Sequence, residues 1–187
     1  MSETAGRVGG PESRVESRVD GGVEVRAGGP GDVAAVLAMF DSAVAWLVSR
    51  GITGQWGERP FTGDERRTEQ VRQWARGGGL RIAEVGGEPA GCVSVGAPPA
   101  YVRPAEVPEL YVQALVVDRR FPGMGVGAAL LDRALAEAGE RGVAVLRVDC
   151  YAGGDGRLVR WYEEWGFERE APFTVGEWPG MVLRRSV

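Results

Sequence analysis

The sequence predicts a single three-layer α/β domain, in which helices flank a central mixed β-sheet. Segments with the alternation or continuous apolarity of strands occur along the whole chain, and segments with helical periodicity lie between them. Their order is β-α-α-β-β-β-α-β-α-β-β, with no internal repeat and no interdomain linker. The 187 residues are enough for one sizeable core.

The N-terminal segment differs from the rest of the chain. Residues 1–22 are polar, rich in glycine and aperiodic, so we expect a disordered tail followed by one domain over residues 23–187. The segment lacks the apolar stretch of a secretory signal, and no apolar run approaches the roughly 18 residues of a membrane span. We therefore expect a cytoplasmic protein that does not act on a membrane.

Each predicted element has a local cause. Val23–Arg26 alternates as a strand, and an apolar stripe after it predicts a first helix that Gly51 ends. Thr62 and Glu65 form a capping-box pattern for a second helix. Two further helices are predicted over residues 128–141 and, capped by Asp155, up to Gly166. The remaining predicted strands are residues 80–85, 90–95, 110–117, 143–148, 167–175 and 181–184, with 110–117 central.

Composition excludes several classes of site. The net charge of −4 and the pI of about 5.1 argue against a nucleic-acid partner. The chain has no histidine, which excludes His-based triads and His metal sites. Cys92 and Cys150 are expected to be buried apolar residues, so no metal is predicted. Arginine supplies every positive side chain beside 30 glycines, which is typical of a GC-rich genome and leads us to expect a bacterial protein.

A glycine-rich loop is the most informative segment of the chain. Residues 118–127 join a buried strand to a helix, and glycines alternate from Gly123 to Gly127. Glycine permits positive φ and a close approach of a ligand to bare backbone. Free N–H groups and the helix dipole favour an anion there, such as a pyrophosphate. Arg119 and Arg120 lie beside the loop and can add charge.

Other nucleotide sites are less consistent with this loop. Gly123-x-Gly125-x-x-Ala128, with Asp149 ending the next strand, fits the dinucleotide-binding Rossmann fingerprint, and a methyltransferase site would look similar. Some four strands precede the loop, however, and too few elements follow Asp149 to complete a doubly wound sheet. The phosphate-binding Walker pattern is excluded because the chain has no lysine.

The loop and the last helix together resemble the GNAT acetyltransferase superfamily. The family pattern runs Leu-x-Val, Arg/Gln-x-x-Gly-x-Gly/Ala, paired leucines, and later Tyr-x-x-x-Gly-Phe. The matching residues here are Leu115-x-Val117, Gly123-Met124-Gly125-Val126-Gly127, Leu130-Leu131 and Tyr162 with Gly166-Phe167. Pro122 stands where Arg or Gln is usual, which removes one N–H donor, and Asp155 stands where Asn is frequent.

The resemblance implies an acetyl-CoA-dependent N-acetyltransferase acting on a primary amine of a small molecule or peptide. Coenzyme A would lie in a V-shaped gap between strands 110–117 and 143–149, pairing with the edge of the first. An N–H near Val116 would stabilise the oxyanion, and Tyr162 would protonate the thiolate. The implied coenzyme-binding residues are Leu115, Val116, Val117, Arg120, Pro122, Gly123, Met124, Gly125, Val126, Gly127, Ala128, Asp155 and Tyr162.

The base and the acceptor site stay open at this point. Glu109 and Asp149 are the candidate general bases; the alternative is a solvated strand end for Glu109 and a turn-forming residue for Asp149. Candidate acceptor-binding residues, for which core packing is the alternative, are Trp46, Gln55, Trp56, Tyr111 and Trp178. The acceptor is not identified, and a homodimer is possible. An acyl-CoA-binding module without turnover is the alternative function.

Overall fold

One seven-stranded sheet runs through residues 22–187, the part of the chain that the computed structural model describes. The strands are β1 (Val23–Ala27), β2 (Leu80–Val85), β3 (Glu88–Gly96), β4 (Glu109–Val117), β5 (Val145–Tyr151), β6 (Glu168–Val175) and β7 (Trp178–Ser186). Their order across the sheet is β1-β2-β3-β4-β5-β7-β6, so β4 is central as predicted. The predicted tail lies outside the described residues except for Gly22.

Four helices cover the two faces of this sheet. They are α1 (Val33–Ser49), α2 (Glu65–Arg76), α3 (Val126–Glu140) and α4 (Arg157–Glu164). Helices α1 and α2 pack on one face, and α3 and α4 pack on the other. The element order and the three layers are those predicted from the sequence.

Helix α1 buries one apolar face in the core. Its buried residues recur every three or four positions and are Val36, Met39, Phe40, Ala43, Val44 and Leu47. The segment Pro30–Ser49 has a mean hydropathy of 1.6 and is long and apolar enough to cross a membrane by length and composition, which the sequence analysis did not anticipate. In this fold, its buried face packs against α2 and the sheet, as a core helix does.

Strands β4 and β5 pair over only part of their length. Their parallel register runs from Glu109–Val145 to Val112–Val148, and both strands continue beyond the last pair. On its other edge, β4 has an extra residue, Gln113, where the register with β3 shifts. Such a bulge bends a strand, so β4 and β5 diverge and leave a gap between them. Because the other described strand pairs are antiparallel, the sheet is not the doubly wound parallel sheet of a Rossmann fold.

The predicted caps of two helices differ from those observed. The Thr62–Glu65 capping box is wrong: Asp64 is the N-cap of α2, and its side chain accepts the Arg67 N–H at 3.1 Å. Asp64 directly precedes the helix, so its carboxylate can accept a hydrogen bond from a first-turn N–H group that has no partner within the helix. At α4 the N-cap is Gly156, in a left-handed conformation, while the Asp155 side chain accepts the first helical N–H, that of Arg157, at 3.0 Å.

Candidate active site

The gap between β4 and β5 opens into a cleft of about 620 Å³. The end of β4 and the following glycine loop form one wall, and the first turn of α4 faces them. Helix α1 and the loop after it cover the opening. The cleft therefore reaches through the sheet, with the glycine loop at one end.

Most of the predicted coenzyme-binding residues meet on this cleft. They are Leu115, Val116, Val117, Pro122, Gly123, Met124, Gly125, Val126, Gly127, Ala128 and Asp155. Gly123 and Gly125 have φ angles of +70° and +76°, which side chains other than glycine rarely adopt. Among the described residues no side chain caps α3, so its first N–H groups are available to an anion.

Arg120 is the exception on this wall. Its guanidinium pairs with Asp118 at 2.9 Å and with Glu88 at 3.4 Å, and it does not line the cleft. Of the two arginines expected to add charge to the loop, Arg119 lines the cleft and Arg120 does not. The buried carboxylate of Asp118, which the sequence reasoning did not single out, attracts Arg120 away from the cleft.

Asp118 also holds the start of the glycine loop. Its side chain accepts hydrogen bonds from the Ser42 hydroxyl at 3.0 Å and from the Arg120 N–H at 2.9 Å. Burial raises the pKa of this carboxyl, but the bonds from Arg120 and Ser42 outweigh burial and hold the pKa below its usual value. Ser42 in turn accepts the Arg119 N–H at 2.8 Å, so α1 and the loop are fixed to each other.

Arginines gather on one indole at the mouth of the cleft. The Arg119 guanidinium lies 3.6 Å from the centre of the Trp46 ring, and that of Arg50 lies 5.2 Å from it. Burial lowers the pKa of Arg119, and the charges of Arg157 and Arg50 lower it further. Arg119 and Arg157 both line the cleft. This end of the cleft is therefore positively charged and suited to phosphate groups.

Tyr162, the predicted proton donor to the thiolate, lies just behind the cleft. Its side chain is buried in the core between α4 and the sheet, with Trp161 and Phe167 packed edge-to-face at 4.9 and 5.6 Å. The neighbouring Trp161 lines the cleft, whereas Tyr162 does not. Burial raises the pKa of the phenol strongly, and Cys150 and Asp149 add to the effect, so the group keeps its proton at neutral pH.

The two candidate bases lie in different surroundings. Glu109 pairs with the Arg147 guanidinium at 2.9 Å and accepts the Ala105 N–H at 2.9 Å, at the closed end of the β4–β5 pair. Asp149 is the first residue of β5 beyond the last pair, at the point where the gap opens. Neither side chain lines the cleft, but Asp149 lies nearer to the opening of the gap.

Two phenols hold the carboxylate of Asp149. The Tyr111 hydroxyl donates to one oxygen at 2.7 Å, and the Tyr101 hydroxyl donates to the other at 3.3 Å. Burial raises the pKa of Asp149, and these two bonds only partly offset it. Burial and the charge of Asp149 also raise the pKa of Tyr101, to about 12, so this phenol stays protonated as a donor.

The predicted acceptor-binding residues divide into two groups. Trp46, Gln55 and Trp56 line the cleft, although Trp56 also packs edge-to-face on Phe40 at 5.2 Å. Tyr111 and Trp178 lie outside it, and the Trp178 ring N–H donates to the Gln55 carbonyl at 3.0 Å. This bond ties the hairpin of β6 and β7 to the loop after α1.

Several residues of this region were not predicted from the sequence. They are Arg50, Tyr101, Tyr151, Arg157 and Phe173. The alternation of β5 could have indicated Tyr151, because residues two apart on a strand point to the same face. Tyr101 and Phe173 gave no such signal, since the loop before β4 and the last hairpin meet only in the folded chain. Cys92 and Cys150 are buried free thiols, as predicted.

Comparison with known proteins agrees with this architecture. The model of the acetyltransferase (GNAT) family matches residues 48–167, well over half of the chain. A search of curated proteins returned no significant match.

Solved structures of several acetyltransferases are similar to this one. A GNAT-family acetyltransferase from Listeria monocytogenes is 21% identical, with a TM-score of 0.68 and coverage of 88% of this chain and 95% of that one. A ribosomal-protein-alanine N-acetyltransferase from Brucella melitensis is 24% identical, with a TM-score of 0.63 and coverage of 87% and 99%. A candidate acetyltransferase from Salmonella typhimurium, solved with its cofactor acetyl-CoA, is 20% identical, with a TM-score of 0.61 and coverage of 88% and 94%.

The family match includes the glycine loop and the Tyr162–Phe167 motif, and the solved acetyltransferases share the overall fold. With both sequence motifs and fold in agreement, the chain belongs to the GNAT acetyltransferase family and is an acyltransferase.

Proposed function

We propose that the protein transfers an acetyl group from acetyl-CoA directly to a primary amine of a small molecule or peptide. The observation that carries this proposal is the divergence of β4 and β5 beyond the Val112–Val148 pair. The resulting cleft has the glycine loop at one end, and Asp149 lies beside it on β5, directly after the last pair and outside the lining of the cleft. An amine and an activated acyl group can approach each other there from opposite faces of the sheet.

The residues present fit acetyl-CoA at the loop end. Gln113–Val117 have no strand partner on the side of β5, so their backbone can pair with the amides of a pantetheine chain. The open N–H groups of α3 and the Arg119 side chain suit a pyrophosphate. Bound there, acetyl-CoA would supply the acetyl group as a reactive thioester.

Asp149 is the group that we assign to deprotonate the acceptor amine. An ammonium ion must lose a proton before it can act as a nucleophile, and a carboxylate of raised pKa is better matched to that proton at neutral pH. The Tyr111 hydroxyl donates a hydrogen bond to one carboxylate oxygen at 2.7 Å and keeps that oxygen oriented. We expect the amine to approach the other oxygen.

Tyr162 is the group that we assign to donate a proton to the leaving thiolate. The motif around it supports this role, and its phenol is kept protonated by burial. For the transfer, its hydroxyl has to reach the cleft past Trp161, which lines it.

We also propose, from composition, that the protein is a cytoplasmic bacterial enzyme without metal that binds neither nucleic acid nor membrane. The net charge of −4 supports the absence of a nucleic-acid partner. A homodimer is part of the same proposal and is testable by light scattering.

Thermal denaturation with candidate cofactors tests the function. Saturating acetyl-CoA should raise the melting temperature, since a ligand that binds only the folded state stabilises it by about 2.7 kcal/mol at a hundredfold excess over Kd. NAD and S-adenosylmethionine should have no effect. A panel of primary amines, assayed for thiol release, would then identify acceptors. Stabilisation by NAD or S-adenosylmethionine, but not by acetyl-CoA, would contradict the proposal.

A further inference from the structure

The carboxylate of Asp149 lacks a positive partner among the described residues. Three other carboxylates that are largely buried each have an arginine: Glu109 pairs with Arg147, Asp118 with Arg120, and Glu137 with Arg81. The side-chain donors to Asp149 are the neutral hydroxyls of Tyr111 and Tyr101. A partly buried charge without a counterion is costly, and a ligand cation can remove that cost.

A continuous chain of aromatic rings begins beside this carboxylate, at Tyr101. Tyr101 stacks on Phe173 with ring centres 5.5 Å apart, Phe173 meets Trp178 at 5.9 Å, and Trp178 meets Tyr151 at 5.8 Å. Tyr151 is two residues after Asp149 on β5, so both side chains point to the same face of the sheet. Tyr151 also lines the cleft, which connects the ring chain to the proposed site of acetyl transfer.

Glycines make room for these rings. A Cβ at Gly54 or Gly153 would overlap the Tyr151 hydroxyl, and a Cβ at Gly180 would overlap the ring of Phe173. The wall therefore depends on backbone from the loop after α1, the loop after β5 and strand β7. Tyr101 is 54% exposed, so the outer end of the wall is open to solvent.

We propose that Asp149 and the ring chain Tyr101–Phe173–Trp178–Tyr151 form an acceptor subsite for primary amines carried on apolar or aromatic chains, and that it discriminates against amines with a carboxylate on the same carbon. This inference rests on the proposed function. The ammonium replaces the Tyr101 hydroxyl, whose 3.3 Å bond to Asp149 is the longer of the two. The apolar chain lies along the aromatic faces.

Discrimination follows from charge. The amine nitrogen has to come within hydrogen-bond distance of Asp149, and a carboxylate on the same carbon is then held only a few ångströms from a second negative charge. Two like charges at that range repel strongly in a partly buried site. We expect a preference of tenfold or more for the amine over the matching amino acid.

Matched pairs of ligands test this subsite by calorimetric titration, with and without coenzyme A present. The pairs are tryptamine and tryptophan, phenethylamine and phenylalanine, and pentylamine and norleucine. The amine of each pair should bind at least tenfold more tightly, and phenethylamine should be acetylated in preference to phenylalanine. Titration without coenzyme A keeps the result independent of cofactor binding.

Two variants and a matched control test whether the preference for amines depends on Asp149 and on the ring chain. Asp149→Asn keeps the shape of the side chain, and it should weaken amine binding at least tenfold and abolish the preference within each pair while coenzyme A still binds. Glu177→Gln is the matched control, because Glu177 is an exposed carboxylate beside Trp178 and its neutralisation should change amine affinity by less than twofold. Phe173→Leu should weaken tryptamine more than pentylamine.

Three results would overturn this inference. They are equal or tighter binding of the amino acids, failure of all three amines to bind, and an unchanged preference in Asp149→Asn. Failure of acetyl-CoA to bind at all would instead contradict the proposed function, so the two failures are distinguishable.

Discussion

The two ends of the proposed site differ in charge and in construction. The loop end is positive and is lined largely by one continuous segment, residues 115–128. The acceptor end, which meets the lining of the cleft at Tyr151, carries the carboxylate of Asp149 and side chains from the β3–β4 loop, β4, β5 and the β6–β7 hairpin. Backbone groups can hold a cofactor at the first end, whereas the acceptor has to be recognised by side chains at the second. Changes at the two ends should therefore affect different kinetic constants.

The largest effect is expected at Tyr162, between the two ends. Tyr162→Phe removes only the hydroxyl, and kcat should fall about a hundredfold, as for the loss of a general acid. Affinity for coenzyme A should stay within threefold of the wild type in calorimetry. An unchanged kcat would show that the ring is a core residue, consistent with its burial, and that the thiolate is protonated by another group.

Arg119 tests the charge of the loop end. Arg119→Gln should weaken coenzyme A binding about tenfold, because a charged hydrogen bond or ion pair to phosphate contributes roughly 1.5 kcal/mol or more. Its neighbour provides the control: Arg120→Gln removes the same charge outside the cleft and should leave coenzyme A affinity nearly unchanged. Equal losses in both variants would mean that general electrostatics, not the position of Arg119, governs binding.

Two glycines of the loop distinguish the effect of backbone conformation from the effect of side-chain volume. Gly125 has φ of +76°, so Gly125→Ala should destabilise the fold by about 1 kcal/mol and weaken coenzyme A binding by a similar amount. At Gly127 an added Cβ meets Val117 and Trp161 at ordinary distances of 3.5 and 3.6 Å, so Gly127→Ala should leave the stability of the fold nearly unchanged. Chemical denaturation and calorimetry would measure both. A tolerated Gly125→Ala would contradict the backbone argument.

The smallest expected effect is on the pH dependence of activity, through Asp149 at the acceptor end. The Tyr101 hydrogen bond favours the ionised form of Asp149, so Tyr101→Phe should raise the pKa of Asp149 further. Because the base must be ionised, activity is lost as the pH falls through this pKa, and the acid limb of the kcat/KM profile should move to higher pH. Activity on that limb should fall about twofold, as for a weak hydrogen bond. Tyr151→Phe, whose hydroxyl does not contact Asp149, should leave the limb in place, and a shift of equal size there would contradict the assignment.

The sequence by itself determined the element order, the central position of β4 and the loop that follows it. These features are local: alternation places strands, three-to-four periodicity places helices, and glycines mark a loop within one short segment. The loop end of the cleft was therefore predicted nearly residue by residue, from Leu115 to Ala128.

Only the tertiary structure decided which of two nearby residues lines the cleft or caps a helix, and which residues form the acceptor end. Arg119 rather than Arg120 enters the cleft because Asp118 binds Arg120, and Asp64 rather than Thr62 caps α2 because it lies closer to the orphan N–H groups. Tyr101 reaches Asp149 across 48 residues of sequence. Such long-range contacts depend on how loops and strands converge in space, and no local periodicity encodes that convergence.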